Sequence, residues 1–354
     1  MIRRPIHMSS IFASLIFTVG CGSTQLSPNS NSVSISSFSG PGAERSIVRI
    51  TDDIYRAFDN THSSLFVVTD EGIVFIDPLN LPAAEWFAQE IESNFDKPVT
   101  HILYSHGHHD HASGAAAFGD VEIISHVNTL SMINPSVDQE LTRGYQNYDN
   151  NGNGVIQRTE ADAELLEVFD LIDSNGNNVL TGQETEGYFH RNIVPPTQTY
   201  DSEINRMRIG GKLFEMHFVG GNHAADMSYI FLPEESIVFY VDVISLRALP
   251  FGPLAWYSKE DSENTYAEAL SIGADIAIPS HGPIGTQDDV RDLESYMSDL
   301  RERVMRLMDE GLSLEEIQST IDMREYADFD YFEDRLPQNV MGMHRTLIAE
   351  RAAQ

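Results

Sequence analysis

Short apolar runs separated by polar turns dominate the first two thirds of the 354-residue chain. Segments 65–69, 73–77, 101–105, 121–125, 213–218, 229–232, 237–242 and 275–279 are rich in Val, Ile, Phe and Tyr, which predicts strands. Helical patterns at 83–94 and 112–118 fall between some of them. After residue 281 the period changes: Val290, Leu293, Met297, Leu300, Val304 and Leu307 share one helical face over 288–310, and Gly311 stops the helix. Ser313 with Glu316 three residues on is a capping box that opens another helix. Two sets of strands with few helices between them, and helices after, place the chain in the α/β (α+β) class.

Composition narrows the setting. A hydrophobic content of 41% suits a globular protein that can bury a sizeable core, as two domains or as one with an insertion. Against 54 acidic residues stand 22 basic ones, a formal net charge of −32. Such a surface repels nucleic acid and anionic lipid and leaves a small molecule as the expected partner. Residues 1–21 have the form of an export signal: Arg3 and Arg4, a short apolar run at 11–17, then Gly20 before Cys21. That run is too short to span a bilayer. Thr18-Val19-Gly20-Cys21 resembles a bacterial lipobox, with Thr18 in place of the usual Leu. The expectation is an exported protein whose only contact with membrane is a lipid on Cys21, sorted to the outer membrane in a Gram-negative host. Cys21 is the only cysteine, so no disulfide forms within one chain. A Ser/Asn/Gly-rich stretch, 22–46, is expected as a flexible linker before a domain spanning 47–354.

The chemistry is concentrated in Ser105-His106-Gly107-His108-His109-Asp110-His111, an HxHxDH loop at the end of an apolar strand. Imidazole nitrogen and carboxylate oxygen both bind zinc at about 2.0–2.2 Å, so this loop can serve one ion or two adjacent ions. Three further donors sit at strand ends or glycine-flanked turns: His223, Asp242 and His281. This ordered set resembles the metallo-β-lactamase superfamily, and the resemblance runs from about residue 47 to residue 281. It implies an αββα sandwich. Position by position, it implies one metal held by His106, His108 and His223 and a second held by Asp110, His111 and His281, with Asp242 bridging. It also implies that Asp77 orients a ligand imidazole. His109 fills the variable position of the motif, and His62, His126, His217 and His344 match no ligand position.

An insertion at 145–190 interrupts the pattern. Asp149, Asn151, Asn153, Val155 and Glu160 occupy the ligand positions of an EF-hand calcium loop. Asp173, Asn175, Asn177, Val179 and Glu184 repeat them, with Asn178 where the sharp turn usually has Gly. Leu165, Leu166, Phe169 and Ile172 share one face of the helix between the loops. The pair resembles the compact EF-hand pairs of bacterial exported proteins. Two carboxylates per loop predict weak calcium binding, at about 10⁻⁴–10⁻³ M.

Two zinc ions a few ångströms apart lower the pKa of a shared water to about 7 and polarise the substrate oxygen, so hydrolysis by a metal-bound hydroxide needs no protein nucleophile. Asp110 and Asp242 are the expected catalytic carboxylates, Asp110 accepting a hydrogen bond from the attacking hydroxide. Iron or manganese satisfies the same donors. The bridging aspartate resembles the glyoxalase II, lactonase, phosphodiesterase and alkylsulfatase branches, and export argues against a glutathione thioester. The expectation is hydrolysis of a small ester, lactone or thioester. β-Lactamase, sulfatase or phosphodiesterase activity at the same site stays open, as does a non-enzymatic calcium-binding surface module.

Overall fold

The structure, a computed structural model, describes residues 34–38, 44–141, 145–220, 223–252, 254 and 257–352. The expected export signal and Cys21 lie outside these residues. Period-two alternation on the strands sorts their side chains onto two faces. Strands β1 (Ser34–Phe38), β2 (Glu44–Arg49), β3 (Ile54–Asp59), β4 (His62–Val68) and β5 (Ile73–Ile76) form an antiparallel series. Parallel to β5 run β6 (Val99–Leu103) and β7 (Glu122–His126). The insertion carries a two-stranded ribbon of β8 (Ile156–Gln157) and β9 (Val179–Leu180), and β10 (Gln198–Tyr200) then joins β7 to complete an eight-stranded sheet. A second, five-stranded sheet runs in order β11 (Ile204–Ile209), β12 (Lys212–Phe218), β13 (Ser228–Leu232), β14 (Ile237–Tyr240) and β15 (Ile276–Pro279).

Leu65, Val67, Val74, Ile76 and Leu103 on the first sheet meet Phe214, Met216, Ile230, Phe239 and Ile278 on the second, forming the core between the sheets. Their neighbours Phe66, Ile73, Phe75 and Ile102 turn outward onto helix α1 (Leu81–Asn94), which buries Ala83, Ala84, Phe87 and Ile91. Asn80 caps α1 by accepting a hydrogen bond from the backbone N–H of Ala83 at 3.1 Å. Short helices follow: α2 (His109–Ala112) in the motif loop, α3 (Thr129–Ile133) after β7, and α4 (Ala163–Ile172) and α5 (Gly182–Phe189) in the insertion. On the far side, α6 (Lys259–Ile272), α7 (Gln287–Asp309), α8 (Leu314–Thr320) and α9 (Phe332–Ala352) cover the second sheet through Tyr266, Leu293, Leu300, Val304, Val340 and Met343. The result is the four-layer αββα sandwich. Among the described residues no helix is long and apolar enough to cross a membrane.

Three details differ from the sequence expectation. Residues 34–38 and 44–46, placed in the linker, are strand: Ile47 is fully buried, and pairing with β3 extends the sheet outward. The helix expected over 112–118 is an α-turn at 109–112 followed by a 3₁₀ turn at 115–118. Gly114 breaks it, because its N–H donates to Leu79 O at 2.8 Å and a Cβ there would stand 2.6 Å from Ala84 Cβ. Strands β5 and β14 stop before Asp77 and Asp242, whose φ values of +49° turn the chain out of the sheet.

Phe239 is fully buried between the sheets, whereas Leu171 is 64% exposed. Phe239→Ala is expected to cost about 3–5 kcal/mol and Leu171→Ala less than about 0.5 kcal/mol, read from urea denaturation midpoints at constant m. Equal losses would contradict this assignment of the core.

Candidate metal centre

All seven donors singled out in the sequence leave the sheets at strand ends. The loop after β6 carries His106 to His111, His223 precedes β13, Asp242 follows β14 and His281 follows β15. They meet in one place. His106, His108, His223 and Asp242 each offer a donor atom within 4.8 Å of the others. His223 Nε2 lies 3.0 Å from His108 Nδ1 and 2.9 Å from Asp242 Oδ2. Around the other oxygen of the same carboxylate, His111 Nε2 and His281 Nε2 each stand 3.2 Å from Asp242 Oδ1. Asp110 Oδ2 lies 3.9 Å from His111 Nε2.

The donor set fits divalent ions. His106 Nε2 and His111 Nε2 are buried without a hydrogen-bond partner, although an Asp242 oxygen lies 3.3 and 3.2 Å from them. Buried imidazole nitrogens converging without hydrogen-bond geometry are what a cation would satisfy. Electrostatics divide the cluster into a ring pressed neutral and a ring to which carboxylates draw positive charge. Burial, then His106 and His223, press His108 far towards its neutral, ligating form. Burial pulls the His111 imidazolium down, but Asp242 and Asp110 overcome it and hold the ring well above its ordinary value. Burial pushes the Asp242 carboxyl up, and His111 and His223 outweigh it, so that the group stays ionised far below the usual range. Asp110 is held low as well, burial being outweighed by His111 and a hydrogen bond with His62.

Polar contacts fix the loop. Asp77, fully buried, accepts the Ser105 backbone N–H at 2.7 Å and the Ser105 hydroxyl at 2.5 Å, and its Oδ2 lies 3.4 Å from His111 Nδ1. Asp226 Oδ2 accepts the Gly107 N–H at 2.8 Å and the Thr129 hydroxyl at 2.6 Å. A Cβ on Gly107 would stand 3.2 Å from that same oxygen, so glycine permits the close approach. The Ser280 hydroxyl donates to Asp242 Oδ1 at 2.9 Å and accepts the Asp242 N–H at 3.0 Å. Arg56 donates to Gly282 O at 2.7 Å and to the Ser63 hydroxyl, bracing the turn that bears His281.

The sequence profile of the Metallo-beta-lactamase superfamily matches residues 58–281, more than half of the chain. The chain belongs to the metallo-beta-lactamase superfamily. It is 23% identical over 197 residues to the 2,4-dinitroanisole O-demethylase subunit alpha of Nocardioides sp. (strain JS1661), a match covering 55% of this chain and 43% of that one. The stereoselective inverting sec-alkylsulfatase Pisa1 from Pseudomonas sp. shares the fold, with a TM-score of 0.59 and 17% identity over 84% of this chain and 49% of its own. A metallo-beta-lactamase from Pontibacter korlensis overlays 70% of the chain at 20% identity and a TM-score of 0.46, and 95% of its own length. The chain thus spans about half the length of the first two relatives.

Three groups near the centre went unread in the sequence, Arg56, Asp226 and His190, and His62, which matched no ligand position there, stands at the centre too. His62 Nε2 lies 3.3 Å from Asp110 Oδ2. His190, at the end of α5, stacks on His108 with centroids 6.3 Å apart, and Phe189 meets His109 edge-on at 4.2 Å. The insertion therefore touches the motif loop. Its two turns have matching hydrogen bonds: Asp149 Oδ2 accepts the Gly154 N–H at 2.7 Å and Asp173 Oδ2 the Asn178 N–H at 2.8 Å. Glu160 and Glu184 close them by accepting from Asn151 and Asn175 at 2.8 Å. Asn153 accepts the Val155 N–H at 3.1 Å and Asn177 the Val179 N–H at 2.8 Å. Gly154 and Asn178 both have left-handed backbone, with φ of +82° and +64°. His126 stacks on Phe218 at 3.8 Å and His217 sits between Glu215 and Glu268, both away from the centre.

Asp77→Ala strips partners from the Ser105 N–H and hydroxyl and leaves His111 unoriented. Zinc affinity measured by competition with a chromogenic chelator is expected to fall ~10–100-fold, while unchanged affinity would show that Asp77 serves only the strand end.

Proposed function

We propose that the chain is a dinuclear, zinc-dependent hydrolase of small esters, lactones or thioesters. One observation supports this above the rest: Asp242 lies within 3.3 Å of ring nitrogens from His106, His111, His223 and His281, with its two oxygens facing two separate groups of rings. His106, His108 and His223 would hold one ion, and Asp110, His111 and His281 the other, with Asp242 between them. When bound, such ions supply Lewis acidity and a water that ionises near neutral pH. The protein's own part is positioning. Ionised Asp110 can accept a hydrogen bond from the attacking water, and Ser280 fixes the Asp242 carboxylate. Asp77 and Asp226 hold the motif loop rigid through the Ser105 and Gly107 N–H groups.

A second reading, hydrolysis of an alkyl sulfate ester, draws on the fold shared with the sec-alkylsulfatase over 84% of this chain. The two are separated by substrate. Zinc-loaded protein is assayed against p-nitrophenyl esters, lactones, thioesters, secondary alkyl sulfates, phosphodiesters and a chromogenic β-lactam. The expected result is acyl hydrolysis that falls at least ~100-fold in Asp242→Ala, together with a loss of bound metal. Turnover of the sulfate alone favours the second reading, and full activity in Asp242→Ala overturns both.

We propose further that Asp149, Asn151, Asn153, Val155 and Glu160, and Asp173, Asn175, Asn177, Val179 and Glu184, bind calcium. The matching turns and the pairing of Ile156 with Leu180 support this. Calcium at 100 times its Kd is expected to add about 2.7 kcal/mol of stability, seen as a higher Tm in millimolar calcium than in EGTA. The gain should shrink in Glu160→Gln and Glu184→Gln. An unchanged Tm in the parent protein would show that the loops are turns without ions.

A further inference from the structure

We propose that His62 is a ligand of the second metal position, so that this position is a three-histidine site of His62, His111 and His281 beside the carboxylates of Asp110 and Asp242. The inference rests on the dinuclear reading above and extends it by a residue from a different part of the chain. His62 opens β4 directly after a two-residue hairpin turn, in register opposite Asp59. That hairpin is anchored. Asp59, 4% exposed, accepts Arg45 Nε at 2.6 Å and Asn80 Nδ2 at 3.2 Å, and Asn60 turns the chain with φ +56°. The anchored turn delivers two groups to the centre. Thr61 O accepts the His281 Nδ1–H at 3.0 Å, which directs His281 Nε2 to Asp242. The next residue, His62, places its ring 4.4 Å from that of His281 and 5.8 Å from that of His111.

One donor atom from each of His62, His111 and His281 lies within 4.8 Å of the others. A single cation satisfies the set. Thr61 Oγ1 lies 3.2 Å from His62 Nδ1, and Nε2, on the other side of the ring, faces Asp110 Oδ2 at 3.3 Å. The hydroxyl thus fixes Nδ1 and turns Nε2 to the site, as a ligand imidazole requires. Three imidazoles favour zinc or iron over manganese, which prefers oxygen donors.

The test uses the full chain, freed of metal and titrated with cobalt(II), with metal content counted by mass spectrometry and ligand geometry followed by d–d absorption. The parent chain is expected to bind two ions. In His62→Ala the first ion should bind within about twofold of the parent, while the second weakens at least ~10-fold and its absorption shifts. His62→Gln can still donate a hydrogen bond to Asp110 but offers no ring nitrogen, so it should lose as much as His62→Ala. Parent-like second-site affinity in His62→Gln overturns the proposal and makes His62 a positioning residue acting through Asp110. Parent-like affinity in both variants overturns any role at the second position. A parent chain that binds fewer than two ions overturns the dinuclear reading and this proposal together.

Discussion

Asp242 brings one carboxylate into contact with four imidazoles in a pocket where its side chain is 10% exposed. A buried ionised group of this kind costs several kcal/mol unless its neighbours compensate the charge and hold their geometry. The rings come from both sheets, His106 and His111 from the first and His223 and His281 from the second. The spacing of the donors therefore follows the spacing of the sheets. Phe239 and Ile278, one strand residue or less from the turns that carry Asp242 and His281, are buried in the same core that separates the sheets. Packing there sets the centre as directly as the ligands do.

The turns out of the strands show how this is enforced. Asp77 and Asp242 leave β5 and β14 with the same φ of +49°, a conformation aspartate tolerates better than most residues. In each case the turn aims a carboxylate across the strand ends. Asp77 reaches the motif loop of the neighbouring strand, and Asp242 reaches the rings. Buried hydrogen bonds then remove the remaining freedom. Asp77 engages Ser105, Asp242 engages Ser280, and Asp226 engages Thr129 and the Gly107 N–H, so the loop is held through both its backbone and its side chains.

The sandwich and most of the centre were legible in the chain because two signals are local. Apolar runs such as Ile237-Val238-Phe239-Tyr240 are short and end in turn chemistry, and the HxHxDH spacing is dense. His62 carries no such signal. It lies 44 residues before His106, in a polar turn, and only the pairing of β3 with β4 brings it in. Asp226 and Arg56 are hidden in the same way, one by a contact across 119 positions and the other by one across 226. Strand β3, Ile-Tyr-Arg-Ala-Phe-Asp, breaks the period-two pattern with Arg56, whose desolvated guanidinium serves the His281 turn and is lowered to about 10 by burial. Helix α9 contains Pro337 and Gly342, which local propensity counts against a helix. Packing of Val340, Met343 and Leu347 on α7 overrides that.

The central claim is that donors from two sheets converge to hold two ions about one carboxylate. Anomalous diffraction at the zinc edge from crystals of the zinc-loaded protein tests it most directly. The account predicts two peaks about 3.5–4 Å apart, one among His106, His108 and His223, the other against His111 and His281, with Asp242 between them. A single peak, or none within reach of Asp242, would contradict it.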